Sequence, residues 1–122
     1  MRKFFILLAA SMLCFVSEEA SAKKIAEHVL IGDLYYDLYD NGTAEVVCEL
    51  ESYPFNDGHL SGEVIIPSSV LVESTTYTVT GIGEHAFGRC NSLTSVTIPK
   101  HAHVADNAFD DCSPNLQIIY EE

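Results

Sequence analysis

An internal repeat with a spacing of 22 residues constrains the fold of this chain more than any other feature of its sequence. Residues 81–99 read GIGEHAFGRCNSLTSVTIP, and residues 103–116 repeat part of that pattern. The matching pairs are Ile82 with Val104, Ala86 with Ala108, Phe87 with Phe109, and Cys90 with Cys112. A period of about 20–29 residues is typical of solenoids, in which each coil buries its apolar face against the next. The repeat therefore predicts neighbouring coils whose Ala, Phe and Cys side chains stack in a structural ladder.

The first copy carries a motif that resembles a known repeat. Residues 82–99 contain IG, AF, C and LTSVTIP in the order and spacing of the BspA-like leucine-rich repeat of bacterial surface proteins. The second copy has an additional residue before Leu116, and VIIPSSV at residues 64–70 resembles half of a further unit. The resemblance implies a leucine-rich-repeat solenoid and, as in adhesins of that family, contact with host proteins or extracellular matrix.

The segment before the repeats predicts a β-hairpin. Asn41-Gly42 lies between residues 34–39 and 43–50, two runs rich in aromatic and β-branched side chains. Asn-Gly between such runs is a strong signal for a tight turn joining antiparallel strands. Because the end of a solenoid exposes apolar interior, we expect this hairpin to cover the N-terminal end.

The expected fold is mostly β: a short leucine-rich-repeat solenoid of about two coils with an N-terminal β-hairpin cap. Residues 1–22 would be a secretory signal peptide, residues 23–62 a leader (23–27, mobile) and the hairpin cap, and residues 63–122 the repeats. Residues 84–89 are expected to form one helical turn. Residues 93–98 and 117–120 are expected to be adjacent strands.

The N-terminal residues predict export. Basic residues at positions 2–3 precede an apolar run at 4–16, and the A-x-A pattern at 20–22 is a cleavage signal. The apolar run is shorter than the roughly 20 residues of a transmembrane helix. We therefore expect cleavage after Ala22, no transmembrane segment in the mature chain, and a location outside the cell, on its surface or in the periplasm. Lipidation of Cys14 is an alternative that stays open.

The charge balance argues against nucleic acid as a partner. The sequence has 18 acidic and 6 basic residues, a net charge of −12, and residues 1–22 carry two of each sign, so their removal leaves the balance unchanged. Phosphate backbones are bound by clusters of Lys and Arg, which this sequence lacks. The acidity is expected to keep an exported protein soluble.

The repeated cysteines allow two interpretations. Stacked coils lie about 4.8 Å apart, within the Cα separation of about 4.4–6.8 Å that a disulfide spans. Burial as a small apolar side chain also explains Cys90 and Cys112, and we favour it. Whether the two thiols bond stays open at this stage.

Two groups of potential metal ligands are incomplete. His101 and His103 would place two rings on one face of an extended segment, but structural zinc requires four ligands. Four oxygen-bearing residues resemble a fragment of a calcium loop without its glycine and its distant glutamate: Asp106, Asn107, Asp110 and Asp111. We expect neither group to bind a metal, and we expect no cofactor.

The sequence also lacks the nucleophile-elbow, zinc-protease and Cys–His signatures of hydrolases, so we expect no enzyme. The expected function is an exported protein-binding or adhesion module for a protein or glycan at the cell surface. Its contact residues would lie on the exposed face of the repeat strands: Thr94, Ser95, Thr97, Gln117 and Tyr120. The alternative is a structural or assembly role, in which the open edge of the C-terminal strand pairs with another copy or another protein.

Overall fold

The computed structural model describes residues 22–50, 52, 54–56 and 60–121. Apart from Ala22, the predicted signal peptide lies outside these residues. All the regular elements in this part of the chain are strands: β1 (Lys24–Ile31), β2 (Leu34–Tyr39), β3 (Thr43–Val47), β4 (Gly62–Ile65), β5 (Ser69–Val72), β6 (Thr75–Ile82), β7 (Leu93–Ile98), β8 (His103–Val104) and β9 (Gln117–Tyr120). No helix long and apolar enough to cross a membrane occurs among the residues described.

Three strands form a parallel sheet in the order β4-β7-β9. Val96 of β7 pairs with Val64 of β4 on one side and with Ile118 of β9 on the other. The predicted pairing of the C-terminal strand beside the repeat strand is therefore confirmed. Parallel strands in consecutive order require a complete crossover between them, and the coils of the solenoid provide it.

The second sheet contains the hairpin and the strands of the coils that are not in the parallel sheet. Its strand order is β1-β2-β3-β6-β5, and β8 pairs with β6. β3, β6 and β8 pair in parallel, with Val46 beside Ile82 and Ile82 beside Val104. β5 and β6 pair antiparallel through the turn at Glu73 and Ser74.

Each coil contributes one strand to each sheet, β3 with β4, β6 with β7, and β8 with β9. The expected count of about two coils is therefore not confirmed, because the sheet pairing gives three. The predicted hairpin at Asn41-Gly42 is present: β2 and β3 pair antiparallel, and Gly42 N donates to Tyr39 O at 3.1 Å. Since β3 also pairs in parallel with β6, this hairpin is built into the first coil, and a separate cap is not confirmed.

The expected leader is instead a strand. β1 pairs antiparallel with β2, and its register shifts twice near Ala26 and Val29. His28 adopts a φ of 52°, and its backbone N–H donates to Asp37 Oδ1 at 3.0 Å. The bulge interrupts the two-residue alternation that would mark a strand in the sequence.

The expected helical turn at residues 84–89 is a series of tighter turns. His85 and Arg89 adopt φ values of 57° and 64°, outside the right-handed helical region. Three N–H groups bond to the carbonyl three residues earlier, and the pattern recurs 22 residues later: Ala86 to Gly83, Gly88 to His85, Cys90 to Phe87, Ala108 to Ala105, Asp110 to Asn107, and Cys112 to Phe109.

The interior between the two sheets is apolar. Val96 and Ile98 of β7 are buried at alternate positions, Leu93 is buried beyond the register shift at the start of the strand, and Phe87 is completely buried. Burial of such side chains contributes about 1.5–3 kcal/mol each relative to exposure. This interior fixes which face of the parallel sheet is turned toward solvent.

Candidate functional site

The outer face of the β4-β7-β9 sheet presents two rows of side chains that cross all three strands. Partners in register on adjacent parallel strands lie on the same face. The first row is polar: Glu63, Ser95 and Gln117. The second row has apolar ends: Ile65, Thr97 and Ile119. Ile65 is 68% exposed and Ile119 is 45% exposed.

The structure brings three of the five predicted contact residues together on this face. Ser95 and Thr97 lie at the centre of the two rows, and Gln117 lies at one end of the first. Thr94 is exposed at the register shift where Gly62 pairs with Leu93 and Glu63 pairs with Ser95. It therefore lies at the margin of the rows.

Tyr120 is the exception among the predicted contact residues. It pairs with Ile98, which is buried, so it belongs to the row that faces the interior rather than to the outer face. Its side chain is still 56% exposed because β9 is an edge strand in the part of the chain described here. The residue belongs to the open end of the solenoid.

Sequence reasoning missed Glu63, Ile65 and Ile119 on this face. Ile65 and Ile66 are adjacent isoleucines, and only the strand register shows that Ile65 points outward while Ile66 is completely buried. The sequence signal for Ile65 was the alternation of inward and outward side chains in β7, applied to the half-unit at residues 64–70 that resembles it.

Hydrogen bonds between coils position the face. Phe87 N donates to Ala108 O at 2.8 Å, and Arg89 N donates to Asp110 O at 2.7 Å. The rings of Phe87 and Phe109 stack with centroids 5.3 Å apart and planes 4° from parallel. Of the predicted ladder, Ala86, Phe87, Cys90 and Ala108 are buried, while Phe109 and Cys112 are half-buried and pack against the same core. Segments 82–90 and 104–112 are therefore equivalent turns of two successive coils, side by side.

The ladder cysteines are free thiols in this structure. Cys112 Sγ donates to Phe87 O at 2.9 Å, across the coil boundary. Burial raises the pKa of the Cys112 thiol, although a backbone hydrogen bond from Cys90 opposes the rise. The thiols thus act as packed side chains within the ladder, which agrees with the interpretation favoured above.

The turns at residues 83–90 and 105–112 stack on each other, and we call them the turn stack. Asn56 closes its N-terminal end. Ala86 and Gly88 occupy the positions in the first repeat that Ala108 and Asp110 occupy in the second. The carbonyls of Ala108 and Asp110 accept hydrogen bonds from the preceding turn, so the carbonyls of Ala86 and Gly88 need donors from residues that come before the first repeat. Asn56 Nδ2 donates to Gly88 O at 2.8 Å and approaches Ala86 O at 3.4 Å. Its Oδ1 accepts from Glu49 N at 3.0 Å. One buried side-chain amide therefore takes the place of two backbone N–H groups.

The histidines are placed apart from the outer face. His85 stacks on Phe55, with centroids 4.0 Å apart, and its Nδ1 lies 3.5 Å from Asp110 Oδ2. His101 and His103 are exposed. Of the predicted calcium fragment, Asp106, Asp110 and Asp111 are exposed, and the Asn107 amide lies 3.4 Å from His85 Nε2. Among the described residues, no group of three or more His, Cys, Asp or Glu side chains is placed to hold a metal ion.

Two carboxylates lie in register on the adjacent strands β2 and β3. Asp37 of β2 pairs with Glu45 of β3, and Lys24 Nζ lies 3.0 Å from Asp37 Oδ2. Burial raises the pKa of the Glu45 carboxyl, and the negative charge of Asp37 adds to the rise. A hydrogen bond of 3.4 Å from the Tyr39 hydroxyl favours the ionised form and opposes it. These groups support the hairpin and lie in the other sheet from the outer face.

The fold is similar to two crystal structures of leucine-rich-repeat proteins. One is from Bacteroides capillosus ATCC 29799, with 28% identity and a TM-score of 0.61, and the match covers 79% of this chain and 67% of that one. The other is from Bacteroides ovatus ATCC 8483, with 29% identity and a TM-score of 0.58, and it covers 74% of this chain and 22% of that one. No protein-family model matches the chain, and a search of curated proteins gives no match.

Replacement of Asn56 tests the closing of the turn stack. We expect Asn56→Ala to lower the free energy of unfolding by about 1–3 kcal/mol, because buried carbonyls lose their donor. Asn56→Asp keeps the acceptor for Glu49 N but places a negative charge against those carbonyls, so it should cost at least as much. Urea unfolding measures both. Asn115→Ala, at an exposed site, should change stability by no more than about 0.5 kcal/mol; equal values for Asn56→Ala and this control would contradict the assignment.

The raised pKa of Glu45 predicts a pH dependence of stability. Between the ordinary value of 4.5 and the raised pKa, the folded chain holds a proton that the unfolded chain has released. Stability therefore falls as pH rises through this window. Glu45→Gln should remove that fall, and Tyr39→Phe should enlarge it. Denaturant unfolding across mildly acidic to neutral pH is the measurement, and parallel profiles for wild type and Glu45→Gln would show that Glu45 has no such role.

Proposed function

We propose that this chain, a leucine-rich-repeat protein by its fold and its structural neighbours, is an exported, non-enzymatic module that binds another protein through the outer face of the β4-β7-β9 sheet. Solenoids of stacked repeats offer extended surfaces, and such surfaces are commonly used for binding. The neighbours are leucine-rich-repeat proteins, which supports a protein-interaction role in general terms.

The observation that carries the proposal is the exposed apolar row beside a polar one. Ile65 and Ile119 are 68% and 45% exposed at the two ends of a row centred on Thr97. Apolar side chains rimmed by polar groups are typical of protein–protein contact sites. Ser95 and Gln117 in the adjacent row would supply hydrogen bonds at the rim, where interfaces are polar.

Export and adhesion are further parts of this proposal. The signal-peptide pattern at residues 1–22 supports export, and the sequence resemblance to the BspA-like repeat supports contact with host or matrix proteins at a cell surface. Mass spectrometry of the protein recovered outside the cytoplasm tests export: the mature chain should begin at Lys23, whereas retention of residues 1–22 or a lipid on Cys14 would contradict cleavage after Ala22.

A charge placed in the centre of the face should block binding. We expect Thr97→Arg to weaken binding to a matrix-protein partner by about tenfold or more, since desolvation of an unpaired charge at an interface costs more than about 1.4 kcal/mol. Thr76→Arg makes the same change at an exposed position of the other sheet and serves as the matched control. The measurement is surface binding to a panel of immobilised matrix proteins. A panel without any binding, or equal loss in both variants, would contradict the proposal.

The open edge of β9 favours a second candidate function, assembly with another copy of the chain. All four residues of β9 are exposed, and Ile118 and Ile119 are 37% and 45% exposed. Edge strands with exposed apolar side chains pair readily with other strands. Sedimentation of the purified protein at micromolar concentration should then show a dimer that Ile118→Lys dissociates. A monomer at that concentration would contradict assembly and leave the binding role intact.

A further inference from the structure

A groove lies along the edge of the parallel sheet, beside β4. β4 pairs with β7 on one side, and it is an edge strand of this sheet within the described residues. The groove has a volume of about 410 Å³ and separates β4 from the turn between β1 and β2. That volume falls in the range of about 300–1,000 Å³ that ligand sites occupy. Glu63 and Ile65 also stand at the ends of the two rows on the outer face, but their peptide groups lie at the strand edge, in the plane of the sheet, rather than on that face.

The backbone of β4 presents hydrogen-bonding groups to this groove. Gly62 N donates to Ser92 O at 3.0 Å and Ile66 N donates to Thr97 O at 2.9 Å, both toward β7. The direction of the peptide groups alternates along a strand, so those of Glu63 and Ile65 point away from β7. Peptide groups at an exposed sheet edge pair with an added extended chain.

The side chains around the groove indicate the chemistry of its occupant. Its walls are largely apolar: Ile31, Leu34, Val64, Pro67 and Val70. The charged residues that line it are both acidic and exposed, Asp33 and Glu63. The net charge of −12 attracts cationic segments over longer distances.

We propose that the groove binds an extended segment of another protein, which pairs with β4 as an additional strand. Apolar side chains at alternate positions would enter the groove, and a lysine or arginine would face Asp33 and Glu63. The occupant is a basic strand because its backbone matches the peptide groups that point away from β7 and its charge matches the rim. This site is additional to the proposed function, because binding at the outer face and binding at the β4 edge can each be disproved without the other.

A synthetic peptide tests the site directly. The probe is a heptapeptide, TVKVKVT, acetylated at its N-terminus and amidated at its C-terminus, and it is titrated into isotope-labelled protein at low ionic strength. We expect the amide signals of Glu63 and Ile65 to shift most and their hydrogen exchange to slow. The matched peptide with glutamate in place of lysine should bind about tenfold more weakly or worse, because its charge repels the rim. No binding at millimolar peptide, or shifts centred on Thr97 and Gln117, would overturn the proposal.

Two substitutions of Ile65 separate backbone pairing from side-chain contact. Ile65→Thr and Ile65→Pro both remove the isoleucine side chain, but only proline removes the N–H that faces the groove. We expect peptide binding to be about tenfold weaker for Ile65→Pro than for Ile65→Thr, which is the effect of one lost hydrogen bond. Equal affinities would overturn strand addition. Thr76→Arg adds the same charge at an exposed position of the other sheet and should leave peptide binding unchanged, and an equal loss there would show that the peptide responds to net charge alone. If Ile65→Pro does not fold, the amide mapping on the unmodified protein decides the question.

Discussion

The fold depends on backbone hydrogen bonds that join one coil to the next at the turns leading from the second sheet into the parallel sheet. Phe87 and Arg89 donate to the carbonyls of Ala108 and Asp110, and the stacked phenylalanine rings lie directly beside these bonds. Because a one-residue slip would break both bonds and unstack the rings, this contact fixes the register of the coils. The register in turn aligns β4, β7 and β9, and it thereby determines which side chains share the outer face.

A stack of coils leaves unpaired peptide groups at its ends, and the two ends of this chain differ. At the first coil, the buried amide of Asn56 donates to the carbonyl of Gly88 and approaches that of Ala86, so the turn stack is closed without another turn. At β9 the strand edge carries exposed apolar side chains in the part of the chain described. Asn56 closes the turns, but the edges of β4 and β9 have no neighbouring strand among the described residues, so the outer face and these two edges are the surfaces for partners.

Much of this architecture can be predicted from the sequence because it depends on local patterns. The 22-residue period gave the ladder, Asn41-Gly42 gave the hairpin, and alternation gave the inward side of β7. Features that depend on non-local geometry could not be predicted. The bulge at His28 hides the strand β1, and the role of Asn56 requires knowledge of which carbonyls lie beside it. Neighbouring isoleucines at 65 and 66 differ only in register, and the same register removes Tyr120 from the outer face.

Segments 82–90 and 104–112 form adjacent turns bonded through their backbones, and the register of both sheets follows from these bonds. Scalar coupling across hydrogen bonds, measured by NMR on uniformly labelled protein, tests it most directly. We expect coupling between the Phe87 amide nitrogen and the Ala108 carbonyl carbon, and between the corresponding atoms of Arg89 and Asp110. Coupling of either amide to a different carbonyl, or rapid solvent exchange of both amide protons, would contradict the register and the binding surfaces that follow from it.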